Sequence, residues 1–187
     1  MTMGNIAFVC DNFGPIHIDQ CSTLDAALPP GSRAIGLELF ADSDVYGWGQ
    51  NDTNHFTKLT LASGEERGRI GTLAMARRIV AACVRHDVKV VLFAHYERPY
   101  VFLAAWTLRL LGRRTLIMSD SKFDDYTRYL WREVGKRMMM SPYTGGIAAS
   151  LRCADYLRFL GIDQRNIRLD AYAIVPERVR EAAGAAP

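Results

Sequence analysis

The chain reads as an α/β domain of Rossmann-like type, a doubly wound, mainly parallel sheet with helices on both faces. Three observations predict this. Short apolar runs alternate with longer segments of helical period from one end to the other. The run Val88-Lys-Val-Val-Leu-Phe-Ala94 is bounded by polar residues, as a parallel strand covered on both faces requires. The 187 residues, 49% apolar and 23% charged, suit one domain with a sizeable core.

In order along the chain, Asn5–Cys10 is strand-like, and Pro15–Leu28 reads as a helix stopped by Pro29-Pro30-Gly31. Ser32–Leu39 and the alternating Phe56–Leu61 are the next two strands. Glu65–His86 places Ile70, Leu73, Ala74, Val80, Ala81 and Val84 at a helical period. After the Val88–Ala94 strand, Pro99 opens a helix where a missing N–H does no harm, and Gly112 stops it. Arg114–Ser119 is a strand and Asp124–Met140 a long basic helix. Gly146–Ala149, the helix Leu151–Leu160 and a last strand in Ile167–Ile174 complete the pattern. About six or seven strands are expected in one sheet. Glu181–Pro187 is small and featureless and reads as a linker or frayed end, as does the whole of 176–187.

Right-handed crossovers place the loops after the strands along one edge, where open α/β sheets bind ligands. Those loops are Asp11–Pro15, Phe40–Asn54, His95–Arg98 and Ser119–Phe123. In the first, Asn12 and the pair Gly14-Pro15 precede a helix N-terminus, a setting that favours an anionic ligand, and His17 sits on the first helical turn. His95 follows the central strand, where an imidazole can bond a sugar hydroxyl and titrates near neutrality. A structural hydrogen bond is the competing reading for both histidines. Glu97 either joins the site or complements the helix dipole. Asp120 and Ser121 are either cleft groups or helix-capping ones. Tyr46 and Trp48 either form a platform for a sugar or anchor their loop to the core.

The chain lacks G-x-G-x-x-G and G-x-x-x-x-G-K-S/T, which argues against a self-contained NAD enzyme or a P-loop NTPase. Cys10, Cys21, Cys83 and Cys153 show no metal-ligand spacing and read as buried, reduced thiols of a cytosolic protein. No apolar run approaches the roughly 18–20 residues that span a bilayer.

The net charge of +3 is uneven. Residues 1–64 hold two basic and seven acidic side chains, and the rest hold 21 basic and 13 acidic ones. The basic second half suggests phosphates or an anionic membrane surface. On the Asp124–Met140 helix, Arg128, Arg132 and Lys136 recur every fourth residue, beside Arg137. This reads as an ordinary solvated face or as a lipid-docking one, with Leu130, Val134 and Met138 as the opposing apolar stripe and Trp131 at its border.

Five stretches, the last of them followed by a strand-like segment, carry a family resemblance. They are Phe13-Gly-Pro-Ile-His17, Tyr46-Gly-Trp48, Arg98-Pro-Tyr100, Leu116-Ile-Met-Ser-Asp-Ser121 and Ala154-Asp-Tyr-Leu-Arg-Phe-Leu-Gly161, which precedes the strand-like Arg168-Leu-Asp-Ala-Tyr172. In this order they resemble the N-terminal, acceptor-side domain of group 1 (family 4) glycosyltransferases, two-domain enzymes of the GT-B fold.

The resemblance implies a Rossmann-like acceptor domain over 1–175 of a retaining enzyme. Such an enzyme moves a sugar from a nucleotide-sugar to a hydroxyl of a sugar or glycolipid. It implies no cofactor, no obligatory metal and no nucleic-acid partner. The reduced thiols point to a cytoplasmic protein, peripheral to the inner membrane surface under the lipid-docking reading of the basic helix. The resemblance makes His95 and Asp120 the catalytic candidates, and Asn12, Gly14, His17, Trp48, Glu97 and Ser121 the substrate-binding ones. The donor-binding C-terminal domain, with its paired glutamates and diphosphate-holding cations, is missing, so the chain is expected to be inactive by itself. Two other readings stand beside this one: a free-standing flavodoxin-like binding or regulatory domain, and a small enzyme using His95 and Asp120.

Overall fold

The computed structural model describes residues 4–42, 56–125, 127–169 and 176–184. The strands are β1 (Asn5–Cys10), β2 (Ala34–Glu38), β3 (Thr57–Thr60), β4 (Val88–Phe93), β5 (Arg114–Ser119), β6 (Gly145–Ala148) and β7 (Ile167–Leu169). The helices are α1 (Pro15–Ala27), α2 (Thr72–Arg85), α3 (Pro99–Leu110), α4 (Leu130–Met140), α5 (Leu151–Phe159) and α6 (Pro176–Gly184). Among the described residues the seven strands form one sheet in the order β3-β2-β1-β4-β5-β6-β7. Every neighbouring pair is parallel. The predicted Rossmann-like, doubly wound architecture is therefore the observed one.

Side chains alternate between the two faces of the sheet. Ile6, Phe8, Cys10 and Leu92 pack with Phe13, Cys21 and Phe56 on the face that carries α1. Ala7, Val9, Val91, Phe93 and Ile117 face the other way, onto Met75 and Ile79 of α2, Ala104 and Leu108 of α3, and Tyr156 and Leu157 of α5. Gly36 in β2 is required by this packing. A Cβ there would lie 2.6 Å from the Phe56 ring and 2.8 Å from that of Phe13. All four cysteines are buried free thiols.

α3 ends as expected. Gly112 takes a positive φ of 76°, and the Arg113 N–H reaches back to the Leu108 carbonyl at 2.9 Å. Three expected segments differ. The span 65–86 divides into a short 3₁₀ turn, Gly64–Glu66, and α2, because Gly68 turns with a φ of 74°. The span 176–187, read as a linker, holds α6.

The basic helix expected over 124–140 begins only at Leu130. Its upstream part is held as a turn. Asp125 accepts from the Lys122 amide at 2.8 Å and from its ammonium at 2.6 Å, and the Arg128 guanidinium bonds the carbonyls of Lys122 and Phe123. Nor does α4 lie as its pattern suggests. Glu133 and Met140 are its buried residues, while Leu130, Trp131, Val134 and Met138 are exposed.

Candidate functional site

β1 is the branch point of the sheet. From it the chain winds to β2 and β3 on one side, and β4 lies on the other. The segments after β1 and β4 therefore border the crevice at the switch point, the usual ligand site of an open α/β sheet. β5 runs beside β4, so Ser119–Lys122 leaves the same edge one strand further on.

Glu38, at the end of β2, builds the first wall. Its side chain is 2% exposed and accepts from the Phe13 amide at 2.9 Å, the Asn12 side-chain amide at 3.2 Å and the Thr60 hydroxyl at 2.7 Å. Lys58 lies 3.6 Å away. Asn12 also donates to the Phe40 carbonyl at 3.4 Å. Its amide hydrogens thus serve the loop, while its buried Oδ1 has no hydrogen-bond partner. Asp11 pairs with Arg67 at 2.7 Å, and the guanidinium lies 4.2 Å over the Phe40 ring. A structural clamp therefore fixes the loop that carries Gly14.

Gly14 caps α1 and its N–H donates to His17 Nδ1 at 3.2 Å. That amide is committed to the ring, so an anion at the helix N-terminus finds one donor fewer than the sequence suggests. The His17 ring lies 5.8 Å from Phe8 and 6.0 Å from Phe13. Burial, reinforced by His95, lowers its pKa to about 4. His17 is therefore neutral at pH 7, with its proton on Nε2.

His95, half-exposed after β4, places Nδ1 3.5 Å from Glu97 Oε1. Burial would raise the Glu97 pKa. The hydrogen bond from His95, with help from backbone amides including Tyr96 N–H at 3.0 Å, prevails and holds it at about 2. The carboxylate is thus an anion that orients the ring. With Nδ1–H turned to Glu97, Nε2 is an acceptor in the neutral ring and a donor in the cation.

The β5 wall is tethered from beneath. Cys153 Sγ donates to the Asp120 carbonyl at 3.0 Å, and the half-buried Ser121 gives its amide to Ser119 Oγ at 3.3 Å. The Asp120 side chain is exposed. Tyr96 sits between the β4 and β5 walls. Burial raises its pKa, with the charges of Glu97, Glu133 and Asp120 adding to the shift.

The structure therefore brings Gly14, His17, His95, Glu97, Asp120 and Ser121 to one edge and turns Asn12 inward. Trp48 and Tyr46 lie outside the described residues. Sequence reasoning passed over Glu38 and the Asp11–Arg67 pair. Glu38 had a signal, a lone acid in the apolar run Ala34–Leu39. Arg67 had none, since 56 residues separate it from Asp11.

Two imidazoles and a carboxylate anion suit hydrogen bonding to hydroxyls and proton transfer. Among the described residues no group of three or more His, Cys, Asp or Glu side chains is placed to hold a metal ion.

Solved structures share this architecture. A UDP-N-acetylglucosamine 2-epimerase from Rickettsia bellii superposes with a TM-score of 0.60 at 12% identity, covering 98% of this chain and 48% of that one. HepE from Anabaena, in complex with UDP and glucose, gives 0.59 at 12% identity, covering 96% and 50%. A sucrose-phosphate synthase from Thermosynechococcus elongatus gives 0.58 at 12% identity, covering 89% and 47%. The fold is that of a GT-B-like domain. This GT-B-like domain spans about half the length of those three proteins. No protein-family model and no curated protein matches the chain by sequence.

Proposed function

We propose that this domain is the acceptor-binding half of a retaining glycosyltransferase, which moves a sugar from a nucleotide-sugar to a hydroxyl acceptor and is inactive alone. The observation that carries this reading is the convergence of His17 and the Glu97-oriented His95 on the switch-point crevice of a GT-B-like domain. Two of the structural neighbours are a UDP-N-acetylglucosamine 2-epimerase and a HepE holding UDP and glucose, and this chain spans about half of each. That supports a second domain supplying the nucleotide side.

His95 Nε2 faces away from Glu97 and is the group to bond a hydroxyl of donor or acceptor. His17, neutral and capping α1, donates from Nε2. Asp120 and Ser121 supply the wall beyond Tyr96, and Trp48, outside the described residues, is a further substrate-binding candidate. The departing nucleotide diphosphate needs cations. The loop after β4 offers Arg98, and Arg67 is already paired with Asp11 of the loop after β1, so this reading assigns the charge to the other domain. No metal or organic cofactor takes part in this reading.

The test pairs the 187-residue chain with a matching C-terminal domain and follows sugar transfer from common nucleotide-sugars. The chain alone is expected to show none, and the pair to transfer. In the pair, His95→Ala is expected to lower turnover by about 100-fold, the scale for a positioned acid–base group. Robust turnover by the isolated chain overturns the half-enzyme reading. Epimerised nucleotide-sugar without transfer moves the assignment to the chemistry named for the Rickettsia neighbour.

A further inference from the structure

We propose that the outward face of α4 docks on an anionic lipid surface, a role that does not depend on the transferase reading. Leu130 is 79% exposed, Trp131 73% and Met138 68%, with Val134 also exposed between them. At 100° per residue these four side chains fall within about a third of the helix circumference. They form an apolar strip about two turns long, whose centre lies about a third of a turn round the helix from the buried Glu133 and Met140. A soluble helix normally has this strip against its core. Here it faces out.

The strip is flanked by positive charge alone. Arg137 borders the Leu130 side, and Arg132 lies beyond Gly135 on the other, its guanidinium 5.6 Å from the Trp131 ring. The one acid of the helix, Glu133, is turned inward, where Tyr156, Lys136 and Arg128 hold it. An apolar strip with an interfacial tryptophan and arginine flanks is the composition of a helix lying in the headgroup layer of an anionic bilayer.

The end of α3 meets the end of α4. Arg109 bonds the Ser141 carbonyl just after α4, and Leu110 and Leu111 beside it are exposed. A second copy of the chain fits less well, since a two-fold contact would join two arginine-flanked strips with no acid on either. Among the described residues no helix is long and apolar enough to cross a membrane, so the contact is peripheral.

Vesicle sedimentation of the 187-residue chain tests this. Binding is expected to vesicles of about 30% phosphatidylglycerol in phosphatidylcholine, and about fivefold or more weaker binding to phosphatidylcholine alone or at high salt. The triple variant Leu130→Ser, Trp131→Ser, Val134→Ser is expected to lower partitioning by about tenfold or more. Arg132→Glu with Arg137→Glu is expected to do the same on the anionic vesicles only. All the side chains changed are exposed, and an unaltered melting temperature shows that the variants are folded. The proposal is overturned if the wild-type chain does not bind anionic vesicles, if the triple variant binds as well as wild type, or if binding ignores lipid charge. It is also overturned if the strip instead holds two copies together, seen as a dimer that the triple variant dissolves.

Discussion

Two buried carboxylates hold two parts of this molecule in different ways. Glu38 ends a strand at the crevice and is surrounded mainly by neutral donors, with one lysine at 3.6 Å. Glu133 sits on α4 between two cations, Lys136 at 3.1 Å and Arg128 at 3.3 Å, and takes the Tyr156 hydroxyl at 2.5 Å. Around Glu38 the apolar packing is already complete, with Phe13 and Phe56 closed over Gly36, so the acid only sets the register of the first loop. Around Glu133 the polar network takes the place of that packing, because the strip of α4 points away. The crevice loop is therefore locked to the core, while the outer helix is attached by charge and free to offer its apolar side elsewhere.

The largest effect separating the two regions is expected at Glu38. Glu38→Ala removes the buried carboxylate that the Phe13 amide, the Asn12 amide and the Thr60 hydroxyl share, and should destabilise the fold by about 3–5 kcal/mol in urea unfolding. Glu38→Gln, which can still accept from Phe13, should cost about 1–3 kcal/mol. If Glu38→Ala unfolds at the wild-type midpoint, the clamp is not what holds the loop.

Glu133→Ala should cost less, about 1–3 kcal/mol, because Arg128 and Lys136 are partly exposed and can rehydrate. Burial opposes ionisation of Glu133, but the bonds from Tyr156 and Lys136 prevail and hold its pKa below the usual glutamate range. Its contribution is thus present above that range and is lost as pH falls through the lowered value. Equal losses from Glu38→Ala and Glu133→Ala would erase the distinction between the regions.

The crevice carries its own pH signature. The His17 pKa is lowered from the ordinary 6.5 to about 4, so between those values the unfolded chain binds a proton that the folded chain does not. Stability should therefore rise with pH across that window, by about 1–2 kcal/mol for a half-buried ring. His17→Asn keeps an acceptor for the Gly14 amide and removes the titration. It should flatten the slope between pH 4 and 6.5 in chemical unfolding. An unchanged slope would assign the pH dependence elsewhere.

The two regions were not equally legible in the sequence. The succession of strands and helices follows from alternation and the length of the runs, which are local properties, and the crevice loops follow from it through the general handedness of crossovers. The helix over 124–140 was legible as amphipathic, and the stripe of Leu130, Val134 and Met138 was identified. Its orientation was not, because periodicity gives a face but not the direction in which it points. What decides the direction is Tyr156, 23 residues beyond Glu133, with Arg128 folding back before the first turn. Gly14 and His17 were identified as neighbours in one loop, but the bond that commits the Gly14 amide to the ring depends on a rotamer.

The smallest expected effect is also the one that tests the orientation of α4 most directly. If the strip faces solvent, trimming it removes little packing. Val134→Ser and Met138→Ser should each change stability by no more than about 0.5 kcal/mol, as surface substitutions usually do. A core-facing stripe would give about 2–5 kcal/mol for truncating Leu or Met side chains. Met140, buried at the end of the same helix, is the internal control. Met140→Ala should fall in the larger range while Met138→Ser, two residues away, stays in the smaller one. Comparable losses at both positions would mean that the strip is packed against the domain, and the comparison between a locked crevice and a charge-attached helix would then fail.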